Sequence, residues 1–125
     1  MKFLIIEDDP TAQLLLKKIS EVYGDAILAS NGVEALDIIN HSDLNSFDVI
    51  FLDIMMPEMD GIEFLETLRK IEKDKKVAKR KVIIVSALEA EKTIIPKFAK
   101  DNNITYLVKP INKTKIIEIL ESLKN

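Results

Sequence analysis

Short apolar segments of strand length alternate along this chain with longer segments of helical periodicity. The apolar segments are residues 3–6, 26–29, 49–52, 82–85 and 104–108. This alternation is typical of βαβ units, in which a helix connects two parallel strands. The first, third and fourth segments are rich in Ile, Val and Phe without polar alternation, as inner strands covered on both faces are. The pattern predicts an α/β fold with five βα units and a five-stranded parallel sheet.

Local signals place helices between the predicted strands. Asp9 is a suitable N-cap, Pro10 fits the first helical position, and Gly24 fits the end of the first helix. The stripe of this helix would be formed by Leu14, Leu15, Lys18, Ile19 and Val22. Further helices are predicted at residues 32–40, 61–71, 89–100 and 112–124. Pro96 predicts a kink or a late start in the fourth. We expect the basic segment 69–81 to be a solvated loop rather than a binding patch for a partner.

Size and charge limit the classes of protein that the chain can belong to. A length of 125 residues is typical of one domain, and we expect a single domain over residues 1–125 without an output domain. The net charge of −3 provides no general attraction for nucleic acid or an anionic membrane. The chain has no cysteine, and its first apolar run is too short for a signal peptide, so we expect a cytoplasmic location.

Polar residues follow the predicted strands at the points where ligands bind in open parallel sheets. The residues at these strand ends are Glu7, Asp8, Asp9, Asp53, Ser86, Lys109 and Pro110. Because the carboxyl ends of parallel strands meet at one edge, we expect these side chains to converge. Asp9 is interpreted as a helix cap and not as a ligand.

The chemistry of these groups favours metal-assisted phosphoryl transfer. Glu7, Asp8 and Asp53 offer carboxylate oxygens, which repel one another without a cation and suit Mg²⁺. Lys109 and Ser86 offer an ammonium and a hydroxyl for phosphoryl oxygens. Asp53 is the candidate acceptor, because a carboxylate can form a labile acyl phosphate.

Four segments in order give the chain a specific resemblance. Residues 6–10, 53–61, 86–87 and 106–110 together resemble the receiver domain of bacterial two-component response regulators, in particular the stand-alone, CheY-like kind. The resemblance covers the whole chain. It implies a doubly wound sheet with the strand order 2-1-3-4-5, shared by flavodoxin-like and CheY-like proteins.

The resemblance also implies roles for individual residues. Asp53 would be the phosphoacceptor, Asp8 a direct ligand of Mg²⁺ or alternatively Mn²⁺, and Glu7 a ligand acting through water. The backbone carbonyl of Met55 would complete the protein ligands. Glu7 departs from the commoner Asp at its position, which makes direct coordination less favourable.

Other positions match the phosphate-binding and switch residues of the family. Lys109 would bind a phosphoryl oxygen together with Ser86 and the backbone amide of Ala87, and the bond between Lys109 and Pro110 would be cis. Ser86 takes the place of the switch Ser/Thr, and Tyr106 that of the switch aromatic. The alternative for Tyr106 is a permanently packed residue of the sheet.

Partners and activity follow from the same resemblance. The phosphoryl donor would be a histidine kinase or phosphotransfer protein, and the chain would catalyse only its own phosphorylation and dephosphorylation. The output would be a protein target, bound through the fourth helix, fifth strand and fifth helix, with no direct nucleic acid or membrane contact. We expect a monomer, with a phosphorylation-dependent dimer as the alternative.

Three other classes of function are weighed against this one. A flavin-binding module is disfavoured because Glu7, Asp8 and Asp9 would repel the flavin phosphate. A small phosphatase with an Asp nucleophile needs a second acid two residues later, where this chain has Met55. The third alternative is a degenerate receiver that serves only as a docking module.

Overall fold

The apolar segments form one parallel sheet in the computed structural model, which describes residues 1–54, 59–87, 98 and 100–124. The strands are β1 (Lys2–Ile6), β2 (Asp25–Ala29), β3 (Val49–Asp53), β4 (Lys81–Ser86) and β5 (Ile104–Val108). Their order in the sheet is β2-β1-β3-β4-β5, and all neighbouring pairs are parallel. The predicted α/β fold and strand order are confirmed.

Four α-helices connect or follow the strands within the described residues. They are α1 (Pro10–Ser20), α2 (Gly32–Asn40), α3 (Gly61–Lys75) and α4 (Lys113–Ser122), with a 3-10 turn at Leu44–Ser46. The helix α4 corresponds to the fifth predicted helix, because the fourth, at residues 89–100 with Pro96, lies outside the described residues except for positions 98 and 100. None of the helices in this part of the chain combines the length and apolarity that a membrane crossing requires.

Side chains that alternate along the central strands fill two hydrophobic clusters, one on each face of the sheet. On one face Ile6, Leu52 and Ile84 pack with residues of α2 and α3, among them Ile39 and Phe64. The opposite cluster is formed by Phe3, Ile5, Val49, Phe51, Ile83 and Val85 with Leu16, Ile19, Ile116 and Leu120 of α1 and α4. Burial on both faces fixes the strands, and therefore fixes the edge at which their carboxyl ends meet.

Helix α1 packs with a face that only partly coincides with its predicted apolar stripe, since Ile19 is buried and Leu15 is half-buried, but other members are exposed. Leu14 is 53% exposed and Val22 is 80% exposed, whereas Leu16 is 1% exposed. The helix ends at Ser20 with Glu21 as C-cap, so Gly24 is not its stop. Gly24 is instead required by close packing, because a Cβ there would overlap the backbone oxygen of Met1.

The basic segment 69–81 is a loop only in its second part, although most of its basic side chains are exposed as its composition predicts. Its first seven residues continue α3, which ends where Lys76 adopts a left-handed conformation with φ of 56°. Arg69 is largely buried beside Glu72, and its Nη1 donates a hydrogen bond to Glu72 Oε1 at 2.8 Å. The backbone amide of Arg80 also donates to Glu72. Glu72 thereby ties the end of α3 to the segment that enters β4.

The same ion network holds the segment that precedes β5. Arg69 Nε donates to Asp101 Oδ2 at 2.8 Å, and the amide of Asn103 donates to Asp101 Oδ1 at 3.0 Å. Burial acts to raise the pKa of Asp101, but the bonds from Asn103 and Arg69 and the charge of Lys79 outweigh it and lower the pKa below its ordinary value. The amino end of β5 is thus anchored to α3 by charge.

Asp101→Asn is expected to weaken the fold at neutral pH and to flatten its acid dependence. Because the pKa is lower in the folded state, Asp101 stabilises the fold above its unfolded pKa, and this contribution is lost as the pH falls. We expect a loss of roughly 1.5 kcal/mol at neutral pH, because the charge-assisted hydrogen bond from Arg69 to Asp101 is weakened while Glu72 still compensates the guanidinium. Urea unfolding of parent and variant from neutral pH to below 3.8 measures both effects.

The matched control is Asp74→Asn, which removes an exposed carboxylate of α3. The control should follow the parent at every pH. Equal acid losses in the parent and in Asp101→Asn would contradict the role assigned to Asp101.

Candidate functional site

Two buried carboxylates lie at the ends of adjacent strands. Glu7 follows β1, its amide donates to the carbonyl of Ala29 at 3.0 Å, and the residue is 0% exposed. Asp53 is the last residue of β3 and is 5% exposed. Asp8 is exposed and lies beside them, and one carboxylate oxygen from each of the three residues lies within 4.8 Å of the others. The strand ends bring together the three acids that the sequence predicted.

This donor set fits a small divalent cation. Three carboxylates at such separations repel one another unless a positive charge lies near them. All three offer hard oxygen atoms, which are the ligands that Mg²⁺ prefers in proteins. Glu7, Asp8 and Asp53 could therefore hold the ion. Met55, whose backbone carbonyl was the fourth predicted ligand, lies outside the described residues.

Lys109 places a positive charge beside this cluster. Its Nζ lies 2.9 Å from Glu7 Oε1 and 3.6 Å from Asp53 Oδ2. Burial acts to lower the pKa of Lys109, but the close carboxylate of Glu7 and the negative charge of Asp53 outweigh it and raise the pKa above its ordinary value. The side chain is 22% exposed. It is therefore held as an ammonium at the mouth of the site.

The backbone around Lys109 fixes where that side chain begins. The amide of Lys109 donates to the carbonyl of Ser86 at 2.7 Å, which joins the end of β5 to the end of β4. The peptide bond between Lys109 and Pro110 is cis. Lys109 therefore leaves the sheet at the same edge as Asp53.

Glu7 is held by the start of α1. The backbone amide of Asp9 donates to Glu7 Oε2 at 3.1 Å, and the side-chain amide of Gln13 donates to the backbone oxygen of Glu7 at 3.0 Å. Asp9 is the N-cap of α1, and its carboxylate accepts from the amides of Thr11 and Ala12. Its predicted capping role is confirmed. The contribution of Gln13 was not predicted, since no motif marks a residue that acts through one side-chain amide.

Gly61 supports the backbone of the candidate acceptor. Its amide donates to the carbonyl of Ile54 at 2.8 Å, and a Cβ at this position would lie 2.7 Å from the backbone oxygen of Asp53. Gly61 also begins α3, whose N-cap is Asp60. The loop after Asp53 therefore returns close to its own start, and only a residue without a side chain fits there.

The predicted switch residues lie on β4, which is next to the strand of Asp53, and on β5, one strand further. Ser86 ends β4 and is 1% exposed, one residue beyond Val85, which pairs with Asp53. Ala87 follows it and is exposed. Tyr106 pairs with Ile84, is half-buried against the hydrophobic core, and has a buried hydroxyl oxygen. Ser86 thus lies at the edge of the sheet that carries the acids. Tyr106 lies two residues before the end of β5 and packs against the hydrophobic core.

These groups form an arrangement suited to receiving an anionic group. Asp53 offers a nucleophilic oxygen, and the cluster offers ligands for a cation that would neutralise incoming charge. Lys109 presents an ammonium on the same side. A site of this composition can bind a phosphoryl group and transfer it to a carboxylate.

Comparison with known protein families points to the same chemistry. A family model described as the response regulator receiver domain matches residues 3–121 of this chain. The two-component response regulator ORR21 of Oryza sativa subsp. indica is 36% identical over 126 residues, which cover 100% of this chain and 16% of that protein. The chain thus spans well under two thirds of the length of this relative.

Two solved structures have similar folds and sequences. The receiver domain of the Francisella response regulator 1452 is 34% identical with a TM-score of 0.78, and the match covers 98% of this chain and 94% of that one. The response regulator TrrA from Thermotoga maritima, solved in complex with Mg²⁺ and BeF, is 29% identical with a TM-score of 0.76, and the match covers 98% of this chain and 97% of that one.

Gly61→Ala is expected to destabilise the protein by about 1 to 3 kcal/mol, because the new Cβ would press on backbone atoms of Asp53 and Ile54 that cannot move freely. Gly32→Ala is the matched control, since Gly32 also begins a helix and its Cβ would meet only the flexible side chain of Met59. Urea unfolding measures both. Equal stability of the two variants would contradict the role given to Gly61.

Mg²⁺ is expected to raise the melting temperature of the protein, because an ion that binds only the folded state stabilises it. Asp8→Asn should weaken Mg²⁺ binding by roughly tenfold or more, since it removes a charged ligand. Asp9→Asn is the control, because Asn also caps helices and Asp9 serves as a cap. A thermal shift in Mg²⁺ that is equal for parent and Asp8→Asn would exclude the proposed ligand.

Proposed function

Because the chain belongs to the response regulator receiver domain family, we propose that it accepts a phosphoryl group on Asp53 in a phosphorelay. The observation that carries the proposal is the position of Asp53, a buried carboxylate at a strand end. Two further carboxylates lie within 4.8 Å of it and an ammonium lies 3.6 Å away. The donor is a histidine kinase or a phosphotransfer protein.

The transfer forms an acyl phosphate. A carboxylate oxygen of Asp53 attacks the phosphorus of a phosphohistidine on the donor, and the new O–P bond forms as the N–P bond breaks. The electron pair of the broken bond stays with the histidine ring, which takes up a proton. Asp53 is suited to this role because its carboxylate is largely buried and is fixed by the end of β3.

The other residues of the site hold the reacting groups. Asp8, Glu7 and Asp53 would hold Mg²⁺, with Mn²⁺ as an alternative, and the ion would supply positive charge that favours binding of the phosphoryl group. The ammonium of Lys109 binds one phosphoryl oxygen. The hydroxyl of Ser86 and the backbone amide of Ala87 bind another. Each of these groups except Asp8 and Ala87 is at least partly buried, which strengthens its electrostatic effect.

The chain also catalyses the later removal of the phosphoryl group by hydrolysis. Water attacks the acyl phosphate, the P–O bond to Asp53 breaks, and inorganic phosphate leaves. The same cation site and Lys109 stabilise the charge that develops in this step. The chain therefore acts as a signalling phosphoacceptor rather than as an enzyme with a separate substrate.

Phosphorylation is proposed to change a surface that binds a downstream protein. The added charge recruits the hydroxyl of Ser86, and the rearrangement reaches Tyr106 on β5. The surface comprises β5, α4 and the fourth predicted helix, which lies outside the described residues. Because the ring of Tyr106 already packs against the core in this structure, its packed orientation is available without phosphate.

A receiver that only docks, without taking phosphate, is the remaining alternative. Such a protein would have no need to hold Asp53, Asp8 and Glu7 together against their mutual repulsion. The ammonium of Lys109 beside the two buried acids would be equally unnecessary. The arrangement therefore favours the phosphoacceptor.

Acetyl phosphate with Mg²⁺ is expected to add the mass of one phosphoryl group to the parent and none to Asp53→Asn. The control is Asp37→Asn, because Asp37 is an exposed carboxylate on α2, away from the site. Intact-protein mass spectrometry measures the adduct, and hydroxylamine should remove it from an acyl phosphate. Equal labelling of Asp53→Asn would show that another residue accepts the group. No labelling of the parent, by acetyl phosphate or by a phosphohistidine donor, would favour the docking alternative.

A further inference from the structure

The side chain of Gln13 links helix α1 back to the residue that follows β1. Its Nε2 donates a hydrogen bond to the backbone oxygen of Glu7, six residues earlier in the chain, at 3.0 Å. Because the acceptor is a carbonyl oxygen, the contact needs the N–H group of a carboxamide, and a carboxylate could not make it. Gln13 is the fourth residue of α1 and is half-buried. A regular helix thus holds the donor in place.

The oxygen that Gln13 contacts belongs to the peptide group between Glu7 and Asp8. A peptide group is planar, so a hydrogen bond that restrains its oxygen also restrains its amide and the Cα atom that follows. That Cα atom carries the side chain of Asp8. Gln13 therefore restrains the point from which the Asp8 carboxylate begins.

The other hydrogen bonds of this turn act on different groups. The amide of Asp9 donates to Glu7 Oε2 at 3.1 Å, which restrains the side chain of Glu7. The carboxylate of Asp9 accepts from two amides in the first turn of α1 and holds the start of the helix. The bond from Gln13 acts on the peptide group before Asp8 itself. Its effect on Asp8 is therefore separable from the cap of the helix.

Asp8 benefits from this restraint more than the other two acids of the cluster do. Glu7 and Asp53 are buried, so packing holds their side chains, whereas Asp8 is exposed. One oxygen from each of the three lies within 4.8 Å of the others, although repulsion between like charges favours an Asp8 carboxylate that turns away into water. A ligand that is already held near its binding position loses less conformational entropy when it binds.

We propose that Gln13 is a positioning residue that holds the peptide group between Glu7 and Asp8, so that the Asp8 carboxylate stays beside the other two acids where a divalent cation would bind. Gln13 acts through Asp8 and is not itself a ligand. This inference rests on the proposed function, because it requires the cation site at Glu7, Asp8 and Asp53.

A double-mutant cycle on Mg²⁺ affinity tests the proposal. The four proteins are the parent, Gln13→Met, Asp8→Asn and the double variant, with affinity measured by amide shifts in NMR. Met is unbranched like Gln and suits a helix, but it has no hydrogen-bond donor. Gln13→Met should weaken Mg²⁺ binding roughly tenfold in the parent and less than about twofold in the Asp8→Asn background. Equal factors in the two backgrounds, or no change in either, would overturn the proposal.

Two NMR signals provide a readout that needs no bound cation. In the metal-free protein, Gln13→Met should move the carbonyl ¹³C shift of Glu7 as expected for a lost hydrogen bond, and should lower the order parameter of the Asp8 amide. Gln13→Asn keeps the carboxamide but is one methylene shorter, so it should give the same changes. An Asp8 amide that is equally ordered in the parent and in both variants would contradict the positioning role, even where the Asp8→Asn background binds Mg²⁺ too weakly for the cycle.

The matched control is Leu14→Met, which places the same side chain at the neighbouring position of α1, where Leu14 is 53% exposed. This variant should keep the Mg²⁺ affinity of the parent and the order of the Asp8 amide. An equal loss of affinity in Leu14→Met and Gln13→Met would mean that any change in α1 disturbs the site, and would overturn the specific role of Gln13.

The phosphoryl adduct on the parent separates this inference from the proposed function. Labelling of Asp53 together with an unchanged Mg²⁺ affinity in Gln13→Met would mean that the function holds and the positioning role of Gln13 fails. Coupling between Gln13 and Asp8 in the cycle without labelling would mean that Gln13 positions a cation ligand as proposed, but that Asp53 does not accept the group. Absence of Mg²⁺ binding to the parent would overturn the positioning role.

Discussion

Repulsion between Glu7 and Asp53, two carboxylates buried at the ends of neighbouring strands, is the constraint on which the arrangement of the site depends. Burial strengthens this repulsion, so the fold must supply compensating groups from several elements. The start of α1 provides the amide of Asp9, and the end of β5 provides the ammonium of Lys109. A cation bound by the acids would complete the compensation. The two apolar clusters matter for function because they hold the strand ends, and so the charges, in place.

The parts of this arrangement that depend on strand order could be predicted from the sequence. Apolar segments without polar alternation predicted inner strands, and the residues after them predicted which side chains would meet. Once the strands are parallel, the carboxyl ends of β1, β3, β4 and β5 must share one edge. Glu7, Asp53, Ser86 and Lys109 were found in this way without knowledge of any distance.

Features that depend on the packing of one helix or the reach of one side chain could not be predicted. The apolar residues of α1 allow more than one inward face, and the sheet selects the face with Leu16 instead of Leu14. The basic residues of segment 69–81 suggested solvent exposure, but Arg69 is buried because Glu72 and Asp101 pair with it. Both outcomes depend on tertiary contacts, with the sheet in the case of α1 and with Asp101, 32 residues away in the sequence, in the case of Arg69.

The strand β5 is tied at both of its ends, which limits how a change at Lys109 can spread. Asp101, before the strand, is bound to Arg69 of α3 at 2.8 Å, and the amide of Lys109, after the strand, donates to Ser86 at 2.7 Å. Displacement of the whole strand would break contacts at both ends and along the ladder with β4. Reorientation of side chains such as Tyr106 breaks none of these backbone contacts. A change at the site that reaches β5 is therefore transmitted more readily by side chains than by movement of the strand.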